Sequence, residues 1–414
     1  MSDRLKTRNL ENFWKAFQDL TDSAKAPAVL KMPESSGPLF SFNDAFEIMN
    51  SIFENGDVCV NIDGQLKNNP VLLMPPEKAS KYNDFVNDLA CANSCENITF
   101  TRDYCLKYSQ SLADKIQDFT NPYTQKYGVP FDGINAVFIG GKYKSTWIGL
   151  HNDFCDTMLI PAVGSKRMNL WPPFYFKEKA LIEEPSLNGI CYGHIDITPY
   201  KEDAITIDVR PGETLFIPSY WWHYNDLDEP ETTMTLSVGF FKNVDIKQSI
   251  SKAFTTSLAM ISKDYVYSNH RPIPGGHLSS SLNEIELDKE IEDIFERAKF
   301  LFRLEVLRNH SSGGVIAGTK MAEEVPVLMS SQIIGRASCP TYLVKDMQPN
   351  LLVAGGEILA VKSSMKLHKF VEMINSGQPF KLGDIPTKQI SSKALLCEYT
   401  TWLAIRRAIT IRAH

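Results

Sequence analysis

The sequence lacks the features that would place the chain in a membrane or in a disulfide-rich compartment. No apolar run approaches the roughly 20 residues that a membrane-spanning helix needs. The polar residues 1–8 are not followed by the apolar core of a signal peptide. The eight cysteines are scattered and include no CxxC pair, which argues against a zinc or redox motif and favours reduced thiols. We therefore expect a cytoplasmic protein that is not associated with a membrane.

The chain also lacks internal repeats, low-complexity runs and an extreme charge. Its 414 residues are 43% hydrophobic and 22% charged, as in ordinary globular proteins, and this length predicts two or three domains. The net charge of -6 is uneven, because residues 1–250 hold 23 Lys and Arg against 33 Asp and Glu. Such an acidic part would attract a cationic substrate such as a basic peptide, although a solvated acidic surface is the simpler interpretation.

Hydrophobic periodicity divides the chain into four predicted parts, of which the first two form a lead-in and a core. Residues 1–133 alternate between helical and strand patterns. Ser41 and Asp44 occupy the N-cap and capping-box positions of one helix, and a further helix is expected over residues 101–119. Residues 134–244 consist of short apolar runs separated by Gly and Pro, which is typical of a β-sandwich or barrel. We expect an α/β lead-in packed on a β core.

The third and fourth parts predict a mainly helical C-terminal region. Residues 245–315 contain helical patterns at 246–262 and 281–308, and residues 316–414 combine a hairpin signal at 351–361 with further helices. A hairpin flanked by helices is compatible with a small winged-helix-like domain. The last 65 residues hold nine Lys and Arg against four Asp and Glu, which we interpret as a solvated helix face rather than a nucleic-acid-binding surface.

His151, Asp153 and His223 form the strongest chemical signal in the sequence. Residues i and i+2 of a strand share a face, so His151 and Asp153 can point at one ion, and His223 follows a later predicted strand. Two neutral imidazoles and one carboxylate are the ligands of mononuclear non-haem iron, and they leave positions open for a cosubstrate and oxygen. A second HxD pair, His194 and Asp196, shows that this spacing alone is weak evidence.

The context of the first HxD pair resembles the JmjC, or cupin-like, family of iron(II)- and 2-oxoglutarate-dependent oxygenases. The family pattern is HxD, then a G-x-K-R segment that ends before Pro-Pro, then P-G-D/E-x-L-x-I-P-x-x-W-W-H. Here these motifs correspond to residues 151–153, 164–173 and 211–223. The resemblance implies an α+β protein with a double-stranded β-helix (jelly-roll, or cupin) core, in which the first HxD pair and the final histidine bind iron(II). The second HxD pair falls where the family has a substrate-side loop.

The resemblance also implies that Lys166 binds the distal carboxylate of 2-oxoglutarate, the cosubstrate, and a buried carboxylate does need a charged partner. In the family a hydroxyl group assists this lysine, and Tyr143, Ser145, Thr146 and Thr157 are all available. We favour Thr157 because it should face the barrel interior, and Tyr143 is retained as a second cosubstrate-binding residue.

Two positions depart from the pattern of some protein-hydroxylating relatives. Ile148 stands where those relatives have a threonine three residues before the first metal ligand. Gly239 stands where they have an asparagine in the closing strand of the barrel. Both changes leave the metal ligands intact and affect the pocket that should hold 2-oxoglutarate.

The resemblance implies a dioxygenase that hydroxylates a side chain of a peptide or protein while it decarboxylates 2-oxoglutarate to succinate. The order of core, helical segment and small hairpin-containing domain also resembles the ribosomal oxygenases. Those enzymes dimerise through the helical segment, so residues 245–315 are a candidate homodimer interface. Two alternatives stay open. One is the same chemistry in an N-methyl-lysine demethylase or a small-molecule or tRNA hydroxylase, and the other is a non-enzymatic cupin-like binding module.

Overall fold

The computed structural model describes residues 2–33, 38–130, 132–179, 181, 190–241, 250–251, 253–256, 289–315, 332–336, 339–345, 349–361, 365–385, 393–406 and 408–412. Within these residues, helices and antiparallel sheets form an α+β structure centred on a jelly-roll-like core. This architecture confirms the predicted fold class. None of the helices in the described part of the chain is both long and apolar enough to cross a membrane.

The helices of the lead-in cover one face of the larger sheet of the core. They are α1 (Ser2–Leu20), α2 (Phe42–Glu54), α3 (Tyr82–Ala92) and α4 (Gln110–Tyr127). The predicted capping box is present at the start of α2, where the Ser41 side chain accepts from the Asp44 N–H and the Asp44 carboxylate accepts from the Ser41 N–H. Trp14 of α1 packs against Phe119 of α4, and its indole N–H donates to the Phe119 carbonyl at 2.8 Å.

The larger sheet joins the lead-in to the core. Its strands are β1 (Ala28–Lys31), β2 (Cys59–Ile62), β3 (Gln65–Leu66), β4 (Ile98–Arg102), β5 (Ile134–Tyr143), β7 (Asp156–Val163), β11 (Glu213–Ile217) and β13 (Glu231–Phe240). In the described residues they pair in the order β1-β11-β7-β13-β5-β4-β2-β3. Side chains alternate between faces, so Phe138 and Leu236 join the core under the helices, while Asn135, Tyr143 and Thr233 face the barrel interior.

The smaller sheet closes the barrel. It consists of β6 (Leu150–Asn152), β8 (Lys166–Trp171), β9 (Cys191–Gly193), β10 (Ile205–Val209) and β12 (Trp222–Asn225), which pair in the order β10-β8-β12-β6-β9 within the described part. Its inner face packs against the larger sheet through a cluster of buried apolar side chains: Leu159, Met168, Leu170, Val209, Leu215 and Ile217. Its outer face is covered by aromatic residues, among them Phe176 of the short helix α5 (Tyr175–Glu178).

The C-terminal region contains helices and two small sheets. The elements are α6 (Lys289–Ser311), β14 (Ile333–Arg336), β15 (Tyr342–Val344), β16 (Asn350–Ala354), β17 (Glu357–Val361), α7 (Met365–Asn375), β18 (Phe380–Lys381), α8 (Lys393–Ile405) and β19 (Ile409–Arg412). The described strands pair as β15-β16-β17 and β18-β14-β19. The predicted hairpin is present, and its turn residues Gly355 and Gly356 have φ of 56° and 80°, which glycine adopts without strain.

Some predicted elements differ from the structure. The helix expected over residues 101–119 begins only at Gln110, where the Ser109 hydroxyl caps it, and residues 98–102 form strand β4. The first four residues of β4 alternate between apolar residues and threonine, as a strand pattern does, although all four are buried. Strands β9 and β12 were also not predicted, because they are only three and four residues long. Most of the helical pattern at 246–262 lies outside the described residues. The pattern at 281–308 is confirmed over its described residues, 289–308, which belong to α6. The boundaries after residues 133, 244 and 315 stay predictions.

Candidate functional site

The three predicted metal ligands lie together on adjacent strands of the smaller sheet. His151 of β6 and His223 of β12 are directly opposite each other in the antiparallel register, so their side chains share a face. Their ring centroids are 4.1 Å apart, and His223 Nε2 lies 3.6 Å from Asp153 Oδ2. One ligand atom from each of the three residues lies within 4.8 Å of the other two. This arrangement has the donor set of a site in which one ion contacts two imidazoles and one carboxylate.

Backbone hydrogen bonds orient both imidazoles for metal binding. His151 Nδ1 lies 2.9 Å from the Gly149 carbonyl oxygen, and His223 Nδ1 lies 3.0 Å from the Trp221 carbonyl oxygen. A carbonyl oxygen can only accept, so each Nδ1 carries the hydrogen. The lone pair of each Nε2 is therefore left for an ion, which is the usual way in which protein partners prepare a histidine ligand.

Burial also favours the neutral form of His151. The pKa of His151 is lowered to about 4, chiefly by desolvation and also by the neighbouring His223, while Asp153 and the hydrogen bond to the Gly149 carbonyl oppose the change. A neutral imidazole is the form that binds a metal. Asp153 is the more accessible ligand, with 21% of its side chain exposed.

A second cluster surrounds the ammonium group of Lys166, which is only 3% exposed at the start of β8. Lys166 Nζ donates a hydrogen bond to the Tyr143 hydroxyl oxygen and lies 4.5 Å from the centre of that ring. The Thr233 hydroxyl donates to the same oxygen at 2.6 Å. Because this oxygen already accepts from two donors, the hydroxyl hydrogen of Tyr143 is left for a further acceptor.

The cluster around Lys166 is electrostatically incomplete. Among the described residues, no Asp or Glu oxygen lies within 4.0 Å of Lys166 Nζ. The buried Thr235 Oγ1 and Asn225 Oδ1, on interior faces of β13 and β12, also have no hydrogen-bond partner in the described part of the chain. A buried cation and unpaired polar atoms are costly unless something compensates them. The donors present fit a bound carboxylate such as the distal one of 2-oxoglutarate.

The hydroxyl that contacts Lys166 is that of Tyr143. Thr157, which we favoured, lies on β7 near the metal ligands instead, where its hydroxyl donates to Asp153 Oδ2 at 3.4 Å. Thr233, Thr235 and Asn225 were not among the residues predicted from the sequence. The only signal for the two threonines is their alternation with apolar residues along β13, which places hydroxyls on the interior face.

The second HxD pair does not join the metal-ligand cluster found among the described residues. The exposed His194 stacks against Tyr192, with ring centroids 6.4 Å apart. Asp196 accepts a hydrogen bond from the Thr198 N–H at 2.9 Å, at the start of a 3₁₀ turn (Thr198–Asp203). Hydrogen bonding by Thr198 also lowers the pKa of Asp196. The pair therefore divides between an aromatic contact and a hydrogen bond to the backbone of the following turn.

Comparisons with curated proteins extend the resemblance to named relatives. The chain is 24% identical over 180 residues to an HSPB1-associated protein 1 homolog of Danio rerio. This match covers 40% of this chain and 38% of that protein. It is 28% identical over 148 residues to lysine-specific demethylase JMJ30 of Arabidopsis thaliana, a match that covers 29% of this chain and 34% of that protein. It is 30% identical over 144 residues to human HSPB1-associated protein 1, a match that covers 30% of this chain and 28% of that protein. The matches thus span between 28% and 38% of the length of these relatives.

A solved structure and a family model agree with the jelly-roll architecture. The X-ray structure of E. coli ycfD aligns over 96% of this chain and 98% of its own chain, with a TM-score of 0.50 and 14% sequence identity. This similarity is one of fold. Residues 7–241 match the family model of the cupin-like domain, which is more than half of the chain. The suspected resemblance is confirmed: this chain belongs to the cupin-like domain family.

Proposed function

We propose that the protein is an iron(II)- and 2-oxoglutarate-dependent dioxygenase that hydroxylates a side chain of a peptide or protein. One observation carries the proposal. Lys166 is a buried cation with no carboxylate partner among the described residues, in the same barrel interior as a cluster of two imidazoles and one carboxylate. A metal-binding module without a cosubstrate would have no use for this cation, which makes the non-enzymatic alternative the weaker one.

The residues have distinct roles in this proposal. His151, Asp153 and His223 hold iron(II), with both histidines oriented by the carbonyl groups that accept from Nδ1. Lys166 and Tyr143 bind the distal carboxylate of 2-oxoglutarate, and Thr233 holds the Tyr143 ring in place. Thr157 orients the Asp153 carboxylate rather than the cosubstrate.

When bound, iron(II) supplies the redox chemistry that couples decarboxylation of 2-oxoglutarate to oxidation of a C–H bond. The chain contributes position and a dry environment. The apolar cluster between the two sheets includes Leu170 and Ile217, which are 0% and 1% exposed, and it excludes water from the interior next to the site. The partly exposed Asp153 marks the side from which a substrate can approach.

A peptide or protein substrate is favoured over a small molecule by the family resemblance and by the acidic charge of residues 1–250. Demethylation of N-methyl-lysine is the second candidate. It is favoured by the match to lysine-specific demethylase JMJ30, which covers 29% of this chain. We also propose a cytoplasmic location and a homodimer through residues 245–315, which light scattering of the purified protein would test.

Succinate formation from labelled 2-oxoglutarate with iron(II) tests the enzymatic proposal. We expect turnover in the wild type and its loss in His151→Ala, which removes a ligand. The matched control is His194→Ala, which removes an exposed histidine from the other HxD pair and should retain turnover. Equal turnover in the wild type and in His151→Ala would contradict the proposed iron site.

Intact-mass analysis separates hydroxylation from demethylation. The protein is incubated with iron(II), 2-oxoglutarate and two peptide pools that differ only in lysine methylation. A gain of one oxygen on the unmethylated pool supports hydroxylation. Loss of methyl groups confined to the methylated pool supports the demethylase instead.

A further inference from the structure

The turn between β11 and β12 has a strained backbone conformation that the proposed roles do not explain. It comprises residues 218–221, and the Trp221 N–H donates to the Pro218 carbonyl oxygen at 3.3 Å. Tyr220, its third residue, has a φ of 66°, in the left-handed region. Turns with a positive φ at the third residue usually place glycine or asparagine there, because a larger side chain costs conformational free energy. Such strain persists only where the surrounding structure enforces it, and it is common at functional sites.

The strained residue contacts the one metal ligand that does not lie on a strand. His151 and His223 lie on paired strands, whereas Asp153 follows the end of β6 and begins the loop to β7. The Tyr220 N–H donates to the Asp153 carbonyl oxygen at 2.7 Å. The same turn leads into β12, and the Trp221 carbonyl oxygen lies 3.0 Å from His223 Nδ1. The turn therefore fixes the position of Asp153 relative to His223.

A buried carboxylate also holds this turn. Asp156, the first residue of β7, is 4% exposed, and its Oδ1 accepts from the Ser219 N–H at 3.0 Å. Hydrogen bonds to ionised acceptors are about twice as strong as those between neutral groups. Burial of a carboxylate is costly unless such bonds compensate it. The loop that runs from Asp153 to Asp156 is thus joined to the turn by two hydrogen bonds, one at each of its ends.

We propose that Asp156 is a positioning residue that holds the turn in its strained conformation, so that the turn fixes Asp153 for the binding of a divalent cation. This inference rests on the proposed function, in which the cation is iron(II). Asp156 does not belong to the ligand cluster found among the described residues, so it acts through backbone groups. Loss of its carboxylate releases the Ser219 N–H. Relaxation of Tyr220 to a negative φ then reorients its N–H relative to Asp153.

Titration of the metal-free protein with cobalt(II) against a competing chelator, followed by the d–d absorbance of the bound ion, tests the inference. Asp156→Ala should raise the dissociation constant for cobalt(II) about 10- to 100-fold, the usual effect of removing a group that orients a metal ligand. Asp156→Asn keeps an acceptor oxygen without the charge. Because neutral hydrogen bonds are about half as strong, it should raise the constant only about 3- to 10-fold. Equal increases in the two variants would overturn the inference, because charge alone would then explain them.

The spectra of the cobalt(II)-saturated proteins provide a second readout, which general packing would not change. Band positions and intensities report the geometry of the ligands around the ion. Asp156→Ala should alter them, because Asp153 is no longer held in place, and Asp156→Asn should retain the wild-type spectrum. An unchanged spectrum in Asp156→Ala would show that the ligand geometry does not depend on Asp156.

The matched control is Asp44→Ala. Asp44 is also a buried carboxylate, 2% exposed, that accepts from a backbone N–H, but it lies on α2, which carries none of the metal ligands. Its removal should leave the cobalt(II) dissociation constant within about twofold of the wild type, as is usual for independent sites. Thermal unfolding reports whether each variant folds. If Asp156→Ala does not, Ser219→Pro removes the donor of the same hydrogen bond at a turn position that proline favours, and it should show the same loss.

The two levels of proposal fail in different ways. Cobalt(II) binding that is the same in the wild type and in His151→Ala overturns the proposed function, because the ion would not use the three ligands. Binding that depends on His151 but is equally tight in the wild type and in Asp156→Ala overturns only the role of Asp156. Equal weakening by Asp44→Ala and Asp156→Ala would also overturn that role, because the effect would then come from a general loss of stability.

Discussion

Replacing Lys166 by methionine should have opposite effects on the cosubstrate-free and cosubstrate-bound protein. Methionine preserves the length and apolar stem of lysine but removes the charge. In the free protein the ammonium group is buried, and it contacts the hydroxyl and the ring of Tyr143. Replacing buried charges by apolar groups often stabilises a protein by about 1 to 4 kcal/mol. Loss of the Tyr143 hydrogen bond offsets about 1 kcal/mol of that gain.

The free energy of unfolding without ligand should therefore stay equal or rise by up to about 3 kcal/mol in Lys166→Met. Binding should fall steeply, because removal of one partner of a buried charge pair costs about 3 to 5 kcal/mol. At about 1.4 kcal/mol per factor of ten, this is a loss of roughly 100- to 4,000-fold in affinity for 2-oxoglutarate.

Denaturant unfolding with and without 2-oxoglutarate measures both effects. At a 2-oxoglutarate concentration about 100 times the wild-type dissociation constant, the ligand should raise the free energy of unfolding of the wild type by about 2.7 kcal/mol. It should raise that of Lys166→Met by at most about 0.4 kcal/mol. Lys144→Met, which changes an exposed lysine in the loop after β5, is the control and should behave as the wild type. The prediction is refuted if 2-oxoglutarate stabilises Lys166→Met as much as it stabilises the wild type. It is also refuted if Lys166→Met without ligand is several kcal/mol less stable than the wild type.

Three further predictions follow from individual contacts. Tyr143→Phe removes the oxygen that Lys166 and Thr233 contact, and calorimetric titration should show about 10-fold weaker binding of 2-oxoglutarate. Ser41→Ala removes the N-cap of α2 and should lower the free energy of unfolding by about 1 kcal/mol in urea, with the helix otherwise retained. Gly141→Ala should prevent β4 from pairing with β5, because its Cβ would lie 2.1 Å from a backbone oxygen, and circular dichroism should report misfolding. The control Gly56→Ala meets no atom within 4 Å and should fold with a loss of only about 1 kcal/mol from backbone strain.

The order of metal-ligand and lysine motifs was readable in the sequence because each motif is local. His151 and Asp153 are two residues apart at a strand end, and the capping box of α2 and the Gly355–Gly356 turn depend on residues that are close in the chain. Periodicity failed at boundaries and in short strands. The last two residues of β4 were assigned to the helix that follows, and the four-residue strand that carries His223 was missed.

The sequence by itself determined the family, the jelly-roll core and the residues able to bind a metal. Only the tertiary structure decided which hydroxyl meets Lys166, because Tyr143 and Thr233 come from β5 and β13 while Lys166 comes from the other sheet. Such contacts depend on how distant segments pair and pack, and no local pattern of residue types encodes that pairing.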